Sequence, residues 1–71
     1  MRVDYTAHAR MRMAERAVTT EEVEAAIARF DVRYADRDGN PCYVREINGR
    51  WMRVVIVKDS QPPRVKTVIT F

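Results

Sequence analysis

The spacing of apolar residues changes partway along the chain. Up to Phe30 they recur every three or four positions, and from Asp31 onward they fall in short runs between turn residues. That change predicts helices followed by strands, an α+β order rather than an alternating one. In the first helix, over roughly 7–17, Ala9, Met13 and Ala17 form a narrow stripe behind Thr6 as N-cap. Thr19 restarts the helical run, and Thr19 with Glu22 has the spacing of a capping box. Val23, Ala26, Ile27 and Phe30 then fall at i, i+3, i+4 and i+7, the clearest helical stripe in the chain.

Val32–Tyr34 is a short strand candidate, and the polar run Asp36 to Pro41 is a turn. Residues 42–47 and 50–58 are strands joined by Asn48-Gly49, a pair suited to a two-residue type I′ hairpin turn. A last strand covers Val65 to Phe71. The hairpin turn fixes a register that places Ile47 opposite Arg50, Arg45 opposite Met52 and Tyr43 opposite Val54 on one face. The other face carries Glu46 with Trp51, Val44 with Arg53 and Cys42 with Val55. Both faces mix apolar and charged groups, so the pattern alone leaves open which one the helices cover. The expected fold is a single domain over 1–71, with two N-terminal helices on a three- to four-stranded antiparallel sheet. No repeat, linker or low-complexity tract interrupts it.

Composition narrows the function classes. A chain of 71 residues builds one modest core and has no room for a complete dinucleotide domain or a (β/α)8 barrel. With 46% hydrophobic and 32% charged residues it is not a disordered chain. The lone Cys42 cannot close an intrachain disulfide, which suits a reducing compartment. No apolar run is long enough to span a bilayer and the N-terminal stretch has no signal-type apolar region, so a cytoplasmic protein without membrane contact is expected. One His, one Cys and no CxxC or HxxxH spacing argue against a zinc site. No glycine-rich phosphate loop is present, so no cofactor is expected.

Charge changes the picture more. The net charge is +3, but residues 41–71 hold six basic side chains against two acidic ones. The first helix adds Arg10, Arg12 and Arg16, whereas the second is acidic. Eleven of the 13 basic residues are arginine, whose planar fork bonds two phosphate oxygens at once. This is the electrostatic footprint of nucleic-acid binding, although a GC-rich coding sequence also yields an arginine-rich solvated face. Arg45, Arg50, Trp51, Lys66 and Thr67 are the sheet candidates for contacting RNA, with Trp51 able to stack on a base or to close the edge of the core. His8, Arg12 and Arg16 stand at i, i+4 and i+8 on one stripe, a row of cations that an opposing anion would make sense of. His8 is the chain's only histidine, and imidazole is the side chain best suited to act as a general acid or base. Arg53 is a further candidate, with a cross-strand ion pair to Glu46 as its structural alternative.

The run from His8 to Val18, followed by Thr20-Glu21-Glu22-Val23, resembles the signature of a small bacterial family of unknown function (DUF4258-like): H-A-x-x-R-M-x-x-R-x-I/V, a polar cap and E-x-V. The likeness continues through Gly39-Asn40-Pro41, Asn48-Gly49, Arg53-Val54-Val55 and Thr67-Val68, nearly the whole chain. Ala17 departs from the pattern, which usually has Gly there as a helix C-cap. Domains of this group resemble the RelE/BrnT-like toxin fold in element order, and such toxins are ribonucleases paired with an antitoxin. The resemblance implies metal-free cleavage of RNA, with the ribose 2′-hydroxyl attacking the adjacent phosphate. It assigns His8 as acid or base, Arg12 and Arg16 as a phosphate clamp and Arg53 as transition-state stabiliser. Arg45 lies on the face opposite Arg53, so the two cannot line one site, and Arg53 is preferred. The expected function is thus a toxin-like RNA-acting domain with a cognate antitoxin or another acidic protein as partner. The competing reading is a non-catalytic binding module or adaptor that docks RNA or an acidic protein on a basic sheet face.

Overall fold

In the computed structural model, which describes residues 1–71, the Thr6 hydroxyl accepts a hydrogen bond from Ala9 N at 3.0 Å and opens α1 (Ala7–Glu15). The helix ends sooner than its apolar stripe suggests. Val18 N donates to Met13 O at 2.9 Å and Ala17 N to Ala14 O at 3.3 Å, which together make a Schellman motif. Its left-handed position is Ala17, at φ +54°, where glycine would carry no Cβ penalty. Met13 and Val18, the two ends of that motif, are both buried in the core. The capping box then opens α2 (Thr20–Ala28): Glu22 N donates to the Thr19 hydroxyl at 3.1 Å and Thr19 N to the Glu22 carboxylate at 2.9 Å.

Two strands precede the hairpin in the sheet: β1 (Asp4–Tyr5), at the start of the chain, and β2 (Val32–Ala35), after α2. The hairpin itself is β3 (Pro41–Ile47) and β4 (Arg50–Ile56), followed by β5 (Arg64–Thr70). The hairpin register is the one its Asn-Gly turn dictates, with all six expected pairs in place and positive φ at both Asn48 and Gly49. The sheet order is β1-β5-β4-β3-β2. It differs from the three- to four-stranded antiparallel sheet expected, having five strands and a parallel pair of β1 with β5. A two-residue strand is too short to show an alternation. It exists because Asp4 N donates to Pro63 O at 2.8 Å and Thr6 N to Val65 O at 3.1 Å.

The helices cover the face of the sheet that carries Met52, Val54, Ile56, Val65 and Val68. These join Ala9, Met13, Val18, Val23 and Ala26 in one core, with Tyr43 and Ile47 packed against it. Phe30 stands outside it, contrary to the stripe read from sequence. Arg29 leaves helical geometry at φ −139°, and the Phe30 ring turns its edge to Tyr43 with centroids 5.5 Å apart.

A bulge between Val55 and Ile56 shifts the pairing of β5, so that Val55 faces Thr67 while Ile56 faces Val65. Lys66 is the extra residue. A bulge of this kind re-aims side chains, and here it lets Lys66 and Thr67, adjacent in sequence, line the same side of the sheet.

Candidate functional site

The face that the helices leave open carries Trp51, Arg53 and Val55 on β4, Cys42, Val44 and Glu46 on β3, Tyr34 on β2, and Thr67 and Ile69 on β5, as the pairing requires. Across it lies a shallow groove of about 350 Å³, lined by Tyr34, Asp36, Cys42, Arg53, Val55, Lys66, Thr67 and Ile69. Cys42 and Val55 form its apolar floor, both buried although no helix covers them.

Arg53 stands over this floor. Its Nη1 donates to the Tyr34 hydroxyl oxygen at 2.7 Å, and its guanidinium carbon lies 5.6 Å from the centroid of the Phe71 ring. Its Nε is covered and has no hydrogen-bond partner. The expected ion pair with Glu46 does not form. The chain's three ion pairs are Arg2–Asp4, Arg12–Glu15 and Arg50–Glu22, so neither Arg53 nor Lys66 is in an ion pair, although the charge of Lys66 acts on the nearby Asp36 carboxylate.

The one carboxylate of the groove is already engaged. Asp36 Oδ1 accepts from the backbone N–H groups of Asp38 and Asn40, both at 2.9 Å, and Oδ2 accepts from Asn40 Nδ2 at 3.2 Å. The hydrogen bond from the Asn40 backbone is the largest of the influences that hold the Asp36 carboxyl below its usual pKa. Asn40, itself buried, extends this turn by accepting from Lys58 N at 3.0 Å. Burial, and next the nearby charge of Asp36, push the Cys42 thiol up, which disfavours the nucleophilic thiolate. The groove therefore presents two cations outside any ion pair, one carboxylate tied into its own turn, two hydroxyls and an apolar floor, which suits an anion carrying an organic group.

The other expected site residues are elsewhere. His8, Arg12 and Arg16 lie on α1, and none of them lines the groove. His8 is exposed, and Arg12 is paired with Glu15 at 2.8 Å. The structure thus does not bring this row together with Arg53, because the sheet stands between: α1 packs on the Met52–Val54 side, and Arg53 points to the other.

Arg45 and Arg50 are also on the covered face, where each reaches the end of a helix. Arg50 Nη1 donates to Arg16 O at 2.9 Å and its Nη2 to Ala17 O at 3.5 Å, while the same side chain reaches the Glu22 carboxylate at 3.8 Å. Arg45 Nη1 donates to Arg29 O at 2.6 Å. Both guanidinium groups satisfy carbonyls at helix C-termini, where the dipole favours a cation. These two arginines were expected to meet phosphate and instead hold the helices to the sheet. Of the sheet candidates, Lys66 and Thr67 line the groove, and Trp51 lies on the same open face beyond Arg53. Tyr34 and Asp36 were missed as groove residues. The strand pairing of Tyr34 with Cys42 places it there, and a four-residue edge strand gives little sign of its partner from sequence.

No group of three His, Cys, Asp or Glu side chains is placed to hold a metal ion. No helix is long and apolar enough to cross a membrane. Among protein families, the model described as "Domain of unknown function (DUF4258)" matches residues 5–70. Neither the curated proteins nor the solved structures contain a match.

Proposed function

Since the chain belongs to the DUF4258 family of domains of unknown function, its role must be read from its own surface, and we propose that it acts on RNA at the open face of its sheet. One observation carries the reading: Arg53 and Lys66 stand unpaired with any carboxylate in one groove, beside the hydroxyls of Tyr34 and Thr67. An RNA phosphate seats there, gaining charge-assisted bonds from both cations and releasing counterions to solvent. The two helices and the antiparallel run β2 to β5 that follows them support placing the domain beside the RelE-like toxins, with an antitoxin as the partner that would cover this face. It differs from their expected order by the parallel strand β1 ahead of the helices.

In the ribonuclease form of this function, Tyr34 replaces His8. Its oxygen accepts from Arg53, which leaves the hydroxyl's one proton for donation, to the neighbouring Cys42 sulfur at rest and to a seated ligand in its place. That suits protonation of the 5′-oxygen as it leaves phosphorus, while the 2′-hydroxyl attacks and gives its proton to water. Arg53 remains the group that meets the charge developing on phosphate. A second reading, binding without cleavage, is favoured by the absence of a free carboxylate or imidazole in the groove.

Incubating the pure protein with single-stranded RNA decides between them. Cleavage that is lost in Tyr34→Phe while binding persists supports the ribonuclease. Intact RNA with salt-dependent binding supports the docking module. If RNA is neither bound at low salt nor cleaved, the RNA reading is wrong.

A further inference from the structure

The groove accounts for Arg53, Lys66 and Thr67 but not for what lies at the other end of the same face. Trp51 and Phe71 sit there side by side: Phe71 N donates to Trp51 O at 3.0 Å, and the two residues are 40% and 66% exposed. Neither ring belongs to the core. Arg53 joins this aromatic end to the groove, since it lies over the Phe71 ring and also holds Tyr34. Trp51 and Arg53 are alternate residues of one strand, so their side chains leave the same face roughly 7 Å apart. That is about the spacing of successive nucleotides along an extended strand.

Resting on the RNA reading above, we propose that the ligand is specifically single-stranded RNA. One base stacks on Trp51 and Phe71, and the neighbouring phosphates lie on Arg53 and Lys66. Charge complementarity names the occupant: the open face carries two unpaired cations, Asp36 is closed off by its own turn, and Glu46 stands beside Trp51 at the margin. A duplex keeps its bases paired and inside, and it offers this platform only phosphates. An unpaired strand offers a π-face for Trp51 and a phosphate for Arg53 together.

Trp51 is the chain's single tryptophan, so its fluorescence reports on this platform alone. The whole protein is titrated with a short mixed-sequence single-stranded RNA and, separately, with the same sequence as a blunt duplex. The expected result is quenching and tighter binding for the single strand. Trp51→Ala is expected to weaken single-strand binding by about tenfold or more with its salt dependence unchanged. Trp51→Phe is expected to retain most of the affinity. If Trp51→Ala binds both RNAs as the parent does, or the parent binds the duplex as well as the single strand, the stacking platform is overturned and the phosphate seat survives. If the parent binds neither RNA even at low salt, both proposals fall together, and the face is left as a protein-docking surface.

Discussion

The Arg53 guanidinium holds the Tyr34 hydroxyl oxygen at 2.7 Å across the edge of the sheet, and its remaining donors meet no carboxylate. An arginine so placed is oriented by a neutral partner and keeps its full charge for a ligand. Arg53→Ala is therefore expected to weaken RNA binding and to lower the salt-dependence slope by about one. Lys66→Ala should do the same independently. Because neither side chain belongs to the helix-side core, urea unfolding of both variants should stay close to that of the parent. Binding isotherms at several salt concentrations check the first expectation, and denaturation curves the second.

Arg50 and Arg45 should behave in the opposite way. Each caps a helix C-terminus, and Arg50 also links α1 to the capping box of α2 through Glu22. Allowing for their partial exposure, Arg50→Ala and Arg45→Ala should each cost about 1 kcal/mol of stability. RNA affinity should change far less than in Arg53→Ala. Parallel measurement of unfolding midpoints and RNA affinity separates these two classes of arginine.

Ala17→Gly should stabilise the protein. The position requires φ +54°, and removing its Cβ relieves a left-handed strain of about 1 kcal/mol, offset in part by the freedom that glycine adds to the unfolded chain. The net gain is expected at about 0.5 kcal/mol, seen as a melting temperature a few degrees higher.

Acid should loosen the turn between β2 and β3. The Asp36 carboxyl is held below its usual pKa, so the stability it contributes is complete above about pH 4 and is lost as pH falls through the lower folded value. Asp36→Asn keeps an oxygen to accept from the backbone amides but does not titrate in this range. The difference in unfolding midpoint between parent and Asp36→Asn should shrink as pH drops below about 4, while a constant difference would count against this role.

How much of this was legible in the sequence differs from element to element. Thr6, the Thr19–Glu22 capping box and Asn48-Gly49 are local signals, and each produced the structure it specifies, including the whole register of β3 and β4. That register separated Arg45 from Arg53 correctly but could not say which one the helices would cover. The covered face is decided by long-range packing of α1 on β5 and of α2 on β3 and β4, around Met52, Val54, Val65 and Val68, for which a strand pattern of mixed polarity gives no sign. His8, Arg12 and Arg16 do share α1, but joining them to Arg53 required knowing on which side of the sheet that helix lies. Arg45 and Arg50 misled for a related reason. A sheet arginine that reaches a distant helix terminus looks, along the chain, like one waiting for phosphate.

The extra residue in β5 has a consequence for how this domain tolerates change. Val65 and Val68, both fully buried against the helices, are three positions apart, a spacing that a regular strand would send to opposite sides. The insertion at Lys66 reverses the parity of the strand, so the same seven residues supply the core through Val65 and Val68 and the groove through Lys66, Thr67 and Ile69. Deleting Lys66 would do more than remove a cation. It would restore the strand's ordinary phase and force a choice between keeping Val65 or keeping Val68 inside. Point substitution at that site leaves the phase intact, so the groove's charge is free to vary while its length of chain is not.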